Sequence, residues 1–177
     1  MISAHPYAWR NRAIGLLLAL VVFAVDQGIK WWVDVRLNLY NVRVVEVLPF
    51  FDFRWTENYG ISLGLLTAGS LEMRYLLLAA TVAIALFVAI WLLREKRIAD
   101  VAPLALVLGG AAGNIRDRWD HGFVIDYADL HFGEFRPFLI FNFADAAITI
   151  GVLIILARSL FSRDKPETEA QPAPIAD

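Results

Sequence analysis

The sequence contains no cysteine. Disulfides, thiolate metal sites and thiol nucleophiles are therefore excluded together. Charge is scarce as well: Asp, Glu, Lys and Arg make up 19% of the 177 residues, while 59% are hydrophobic. Soluble domains sit near about 25% charged and about 45–50% apolar. The formal net charge is −2, so no basic excess points to nucleic acid. A third lack is local. The stretch YLLLAATVAIALFVAIWLL, Tyr75 to Leu93, has no charged residue in 19 positions. At helical rise it spans roughly 28 Å, close to the hydrocarbon thickness of a bilayer.

Three further apolar segments accompany it. The four predict transmembrane helices over about residues 13–33, 75–93, 101–115 and 137–157. Arg10 and Arg12 in front of the first segment resemble a signal peptide, but VDQGIKWWV follows it with no small-x-small cleavage site. A retained helix is expected. Residues 1–163 thus read as a single four-helix membrane domain. The tail 164–177, rich in Pro and Glu, reads as disordered and cytoplasmic.

Four spans place both termini on one side. The Lys and Arg count is eight on each side, so number alone does not orient the chain. The short loop REKRIAD, Arg94 to Asp100, concentrates three positives against a helix end. Short loops carry the orientation signal, which predicts cytoplasmic termini. Trp31, Trp32, Tyr40 and Trp55 fall on the other side, as interface anchors would. There, Val42 and Val44 alternate with Arg43 and Val45, and Phe51, Phe53 and Trp55 with Asp52 and Arg54, predicting a small extra-cytoplasmic antiparallel β-sheet within about residues 40–68. A short interfacial turn or helix is expected over Leu65 to Tyr75. The fold class is a mainly α membrane protein with this sheet between helices one and two.

Polar residues at membrane depth are expensive, and here they gather in GGAAGNIRDRWDHGFVIDYADL and FNFADAAIT. Gly109 and Gly113 share a helix face that lets another backbone approach. That brings Asn114, with Asp117 and Arg118 three and four residues on, near a neighbour. Asp126 lies among Phe123, Val124, Ile125 and Tyr127. Asp145 lies in an apolar helix with Asn142 on the same face. An ionised Asp at mid-helix costs roughly 2.5–3.5 kcal/mol, so Asp145 calls for a reason. Two carboxylates in low dielectric suit acid–base work: close together they share one proton, one taking a proton from water and the other delivering one. Two other readings use the same residues. Asp117-x-x-Asp120 and Asp126-x-x-Asp129 suit Mg²⁺, as in a lipid-phosphate transferase. Asp26, Lys30, Asn142 and Asp145 suit an oligomeric ion or proton channel.

Five ordered blocks carry a resemblance over the whole chain. They are Asp26-Gln27-Gly28-Ile29-Lys30, Asn58-Tyr59-Gly60, Gly113-Asn114-Ile115-Arg116-Asp117-Arg118, Gly122-Phe123-Val124-Ile125-Asp126-Tyr127 and Phe141-Asn142-Phe143-Ala144-Asp145. The chain resembles the bacterial lipoprotein signal peptidases, or signal peptidase II. It departs from the family pattern at Leu63 and Leu65, at Tyr127, and at Gly28 and Ile29. The resemblance implies an aspartic endopeptidase of the bacterial inner membrane, with its site near the outer leaflet. It would cleave prolipoproteins before a diacylglyceryl-modified cysteine. Asp126 and Asp145 take the places of the catalytic pair. Asn58, Gly60, Asn114, Arg118 and Asn142 take those of residues lining the site. Asp26, Lys30 and Asp117 take supporting places. No metal or other cofactor is implied. The partners would be the lipidated signal peptide and membrane lipid, and the enzyme would act as a monomer.

Overall fold

A computed structural model describes residues 7–60 and 71–161. The expected tail, Leu63, Leu65 and the end of the expected outer β-region lie outside the described residues, as does most of the interfacial turn expected before Tyr75.

Among the described residues four helices are long and apolar enough to cross a membrane. They are α1 (Ala8–Trp31), which continues as a π-helical turn over Trp32–Arg36, α3 (Leu71–Arg94), α4 (Ile98–His121) and α5 (Phe143–Phe161). A short α2 (Leu39–Val42) leads into the strands β1 (Val44–Leu48) and β2 (Phe51–Asn58). The third strand, β3 (Val124–Leu130), follows α4. The sheet is antiparallel in the order β1-β2-β3.

The helices are patterned inside out relative to a water-soluble bundle. The buried positions of α1 are Asn11, Gly15, Ala19, Val22, Asp26 and Lys30, three or four residues apart on one stripe of small and polar side chains. Its opposite face exposes Leu16, Leu17, Leu20 and Val21. Association in lipid relies on close backbone approach and buried polar contacts rather than on apolar burial. Helix α4 packs against α1, α3 and α5, and its glycines set the distances. A Cβ on Gly109 would sit 2.5 Å from the Ala19 carbonyl oxygen, and one on Gly110 2.5 Å from that of Ala144. A Cβ on Gly113 would strike the Asp26 carboxylate. The GGAAG run therefore brings both α1 and α5 onto α4.

Two apolar cores result. One lies between the helices around Ala19, Leu92, Val101, Leu104 and Ala105. The other lies under the sheet around Val33, Leu39, Trp55, Ile125 and Tyr127. The polar residues of interest occupy the layer between these cores.

Four features differ from the sequence reading. The sheet takes its third strand from the segment between α4 and α5. Trp55 is 9% exposed and packs in the sheet core with Tyr40 edge-on against it at 5.5 Å, so it is not an interface anchor. The last helix begins at Phe143 rather than near Pro137. Phe141 instead pairs with Ala128 of β3 through hydrogen bonds in both directions, which holds the chain extended up to Asn142. Likewise α4 runs on to His121, where Gly122 (φ +80°) ends it in the left-handed region.

Candidate active site

The late start of α5 changes the position of Asp145. It is the third residue of the helix, and Asn142 is the cap. The Asn142 Oδ1 accepts from the Asp145 backbone N–H at 2.9 Å, and the Asp145 Oδ2 accepts from the Asn142 N–H at 3.2 Å. This is a capping box with Asp at its far end. The other early N–H groups of α5 have side-chain acceptors too: Phe143 donates to the Tyr127 hydroxyl at 3.1 Å, and Ala144 to the Asp26 Oδ1 at 3.1 Å. Helix starts leave such donors orphaned, and a low-dielectric setting makes each one costly. A carboxylate here also meets the positive end of the helix dipole. Asp145 is thus not the mid-helix residue that the sequence suggested, and much of its expected cost disappears.

Asp126 arrives from β3, opposite Thr56 of β2. Its side chain accepts from Asn58 Nδ2 at 2.9 Å and from Asn142 Nδ2 at 2.7 Å. Asn142 therefore touches both carboxylates, one with its amide side chain and the other with its backbone. Asn114 of α4 donates to the Asp145 Oδ1 at 2.8 Å. Asp126 is 1% exposed. Burial, and then the charge of Asp145, push its carboxyl up to about 7, against the opposing hydrogen bonds from Asn58 and Asn142. Three residues along β3, Asp129 shows the contrary outcome. Burial pushes it up as well, but the Arg54 and Arg136 guanidiniums at 2.8 and 3.2 Å outweigh that and hold it below the ordinary carboxylate range. Burial likewise pushes the Tyr127 hydroxyl up, which keeps it a neutral acceptor for α5.

Behind this pair lies a second polar cluster. Lys30 Nζ reaches the Asp26 Oδ2 at 2.9 Å and the Asp117 Oδ2 at 2.7 Å, with all three groups buried. It also donates to the Asn114 Oδ1 at 3.3 Å. Gln27 Nε2 donates to both carboxylates at 3.1 Å. The Asp117 Oδ2 accepts from the Ile125 N–H at 3.1 Å, which ties β3 to α4 next to Asp126.

The structure thus brings together Asn58, Asn114, Asp126, Asn142 and Asp145. Gly60 closes the turn behind Asn58: its φ is +80°, and its N–H donates to the Asn58 Oδ1 at 2.8 Å. Arg118 is half-buried beside the group, within reach of the fields of Asp145 and Asp126, and donates to the Asn114 carbonyl at 3.4 Å. Asp26, Lys30 and Asp117 stand one layer back. The two Asp-x-x-Asp motifs do not converge: Asp117 faces Lys30, Asp120 pairs with Arg116 at the surface, and Asp129 is held by its two arginines. Sequence reasoning passed over Gln27 as a contact and Tyr127 as a cap. The signal for Gln27 was its place beside Asp26. For Tyr127 it was a hydroxyl in an otherwise apolar run.

Fold and site define a polytopic membrane enzyme with one buried and one half-buried carboxylate, Asp126 and Asp145, at one end of its bundle. Residues 18–161 match the sequence model of the family described as signal peptidase (SPase) II. The chain is 48% identical to the lipoprotein signal peptidase of Rhizorhabdus wittichii over 161 residues, covering 91% of this chain and 93% of that one. It is 48% identical to the lipoprotein signal peptidase of Sphingopyxis alaskensis over 160 residues, covering 90% and 92%. A solved structure described as a bacterial membrane enzyme superposes with a TM-score of 0.74 at 26% identity, covering 90% of this chain and 95% of that one. The chain belongs to the signal peptidase II family, and so to a family of peptidases.

Proposed function

We propose that this chain is the aspartic endopeptidase that cuts prolipoproteins before a diacylglyceryl-modified cysteine, with Asp126 and Asp145 as its catalytic pair. The observation that carries the reading is the bridge made by Asn142 to both carboxylates, together with the raised Asp126 carboxyl. At neutral pH the pair holds one proton. The ionised member takes a proton from water, and the resulting hydroxide attacks the scissile carbonyl carbon. The protonated member gives its proton to the carbonyl oxygen. Collapse of the tetrahedral intermediate breaks the C–N bond, and a proton passes to the departing cysteine nitrogen. Acid and base roles belong to the pair as a unit.

Asn58, Asn114 and Asn142 hold the carboxylates in place. Arg118 and the Asn58–Gly60 turn face substrate backbone or head group. Asp26, Lys30 and Asp117 support the site from behind. Residues 1–163 form one domain, acting as a monomer in the inner membrane. Both termini are cytoplasmic and the site faces the outer leaflet. The test is Asp145→Asn in the full chain, assayed on lipidated prolipoprotein. A fall in kcat of about 10³-fold or more, with the protein still folded, supports the reading; cleavage at near-normal rate overturns it.

A further inference from the structure

Two cavities lie between α3 and α4, and they share Leu78 and Trp119 as walls. The one nearer the sheet, about 290 Å³, is bordered by Arg74, Arg118, His121 and Gly122. The other, about 560 Å³, is a groove lined mainly by small and apolar side chains, among them Ala85, Ala89, Leu108 and Ala112, with the Arg116–Asp120 ion pair also bordering it. We propose that together they bind one anionic phospholipid of the leaflet that the carboxylate site faces.

The charge argument comes first. The Nε atoms of Arg74 and Arg118 are buried and have no hydrogen-bond partner among the described residues. Neither arginine takes part in a salt bridge among those residues. Arg118 feels Asp145 and Asp126 but spends its hydrogen bond on a backbone carbonyl. The Arg74 guanidinium lies 5.0 Å above the Tyr59 ring, a contact that fixes its plane without neutralising it. Gly122 leaves it room: a Cβ there would come 2.9 Å from an Arg74 Nη. Two planar forks with free donors at one cavity match a phosphodiester, which accepts several charge-assisted hydrogen bonds at once. A zwitterionic head group would add a cation beside two that make no salt bridge among the described residues.

The shape argument is independent. The groove follows α3 from Leu78 to Ala89, eleven residues or roughly 16 Å. That is about half the roughly 30 Å hydrocarbon core, the depth of one leaflet. Alanines on both helices hollow it to the width of a chain. Trp119, 76% exposed, stands where the polar cavity meets the apolar one, the level at which indole rings settle in bilayers. A charged pocket above a single-leaflet groove fits a head group above an acyl chain. A soluble phosphate would leave the groove unused, and a neutral diacylglycerol would leave the arginines unpaired.

This proposal does not depend on the peptidase reading, because its readout is lipid retention. The full chain in neutral detergent is titrated with phosphatidylglycerol, phosphatidylcholine, diacylglycerol and inorganic phosphate, and bound lipid is counted by native mass spectrometry. Phosphatidylglycerol should be retained about tenfold better than phosphatidylcholine or diacylglycerol. Arg74→Gln should remove about tenfold of that preference, while Arg74→Lys keeps part of it. Ala112→Phe, which fills the groove, should weaken every phospholipid. Equal retention of phosphatidylglycerol and diacylglycerol by the native chain overturns the proposal. So does unchanged retention in a folded Arg74→Gln protein. Displacement by inorganic phosphate alone, with no effect of Ala112→Phe, overturns the lipid as occupant. Should Arg74→Gln not fold, the head-group series and Ala112→Phe decide the matter by themselves.

Discussion

Two carboxylate pairs are linked through Asn114 in the bundle, and they are built on opposite terms. Asp26 and Asp117 have an ammonium between them, a glutamine across them, and backbone donors from α5 and β3. Among the described residues Asp126 and Asp145 have amides, those of Asn58, Asn114 and Asn142, with Arg118 off to one side. The first pair is compensated and locked. The second is hydrogen-bonded with no salt bridge among the described residues, and burial raises its Asp126 carboxyl. Asn114 joins the two, accepting from Lys30 and donating to Asp145. The difference teaches that burial alone does not make a carboxylate reactive. What matters is whether a cation is placed against it.

The largest expected effects should separate the pairs. Asp126→Asn should lower kcat by about 10³-fold or more while leaving a folded protein. Lys30→Met should do the reverse. It strands two buried carboxylates and should cost about 3–5 kcal/mol of stability. Because Lys30 makes no direct contact with Asp126 or Asp145 and reaches Asp126 only through its charge, the enzyme that remains folded should lose less than about tenfold in kcat. Denaturation midpoints and kcat per folded molecule, measured on both variants, check the contrast. If Lys30→Met abolishes cleavage in fully folded protein, the division into a locked pair and a working pair is wrong.

The next effect depends on pH. The Asp126 carboxyl lies near 7 in the folded protein, against an ordinary value of 3.8. Between those values the folded state holds more protons than the unfolded one, so stability should fall as pH rises through this window. The slope should level off above about 7. Its full extent is at most about 4 kcal/mol. Asp126→Asn should remove that slope, whatever its effect on stability at any one pH. Activity should decline on the alkaline side as the shared proton is lost. A wild-type slope unchanged in Asp126→Asn would assign the titration to another group.

Much of this was legible before any coordinates. Long apolar runs announce membrane helices, and the alternation from Phe51 to Trp55 announces a strand. Strand β3 was not legible, because VIDYADL is buried along almost its whole length and shows no alternation. The start of α5 was missed because FNFAD is apolar enough to continue a helix, while the pairing that stops it comes from Ala128, far away in sequence. Both carboxylates could be nominated from their apolar neighbours. Their partners could not: whether Asp117 meets Arg118 beside it or Lys30 on another helix is settled by how α1 and α4 rotate on Gly109 and Gly113. No local pattern encodes that.

Two smaller changes sharpen the comparison. Among the described residues, Asn114 is the side chain that contacts both clusters, and Asn114→Ala should cost about 1–3 kcal/mol because it leaves buried groups unpaired. It should also lower kcat through the freed Asp145 carboxylate, which distinguishes it from Lys30→Met. The smallest effect belongs to an ion pair on the same helix. Arg116 and Asp120 are four residues apart at 3.1 Å and both substantially exposed. Arg116→Ala should change stability by less than about 0.5 kcal/mol and leave kcat unaltered, since an exposed helix pair gains little. Lys30 meets Asp117 at a similar distance, 2.7 Å, but with both side chains buried. The two substitutions therefore compare ion pairs of like length in unlike surroundings. A cost for Arg116→Ala approaching that of Lys30→Met would mean that burial is not what separates them.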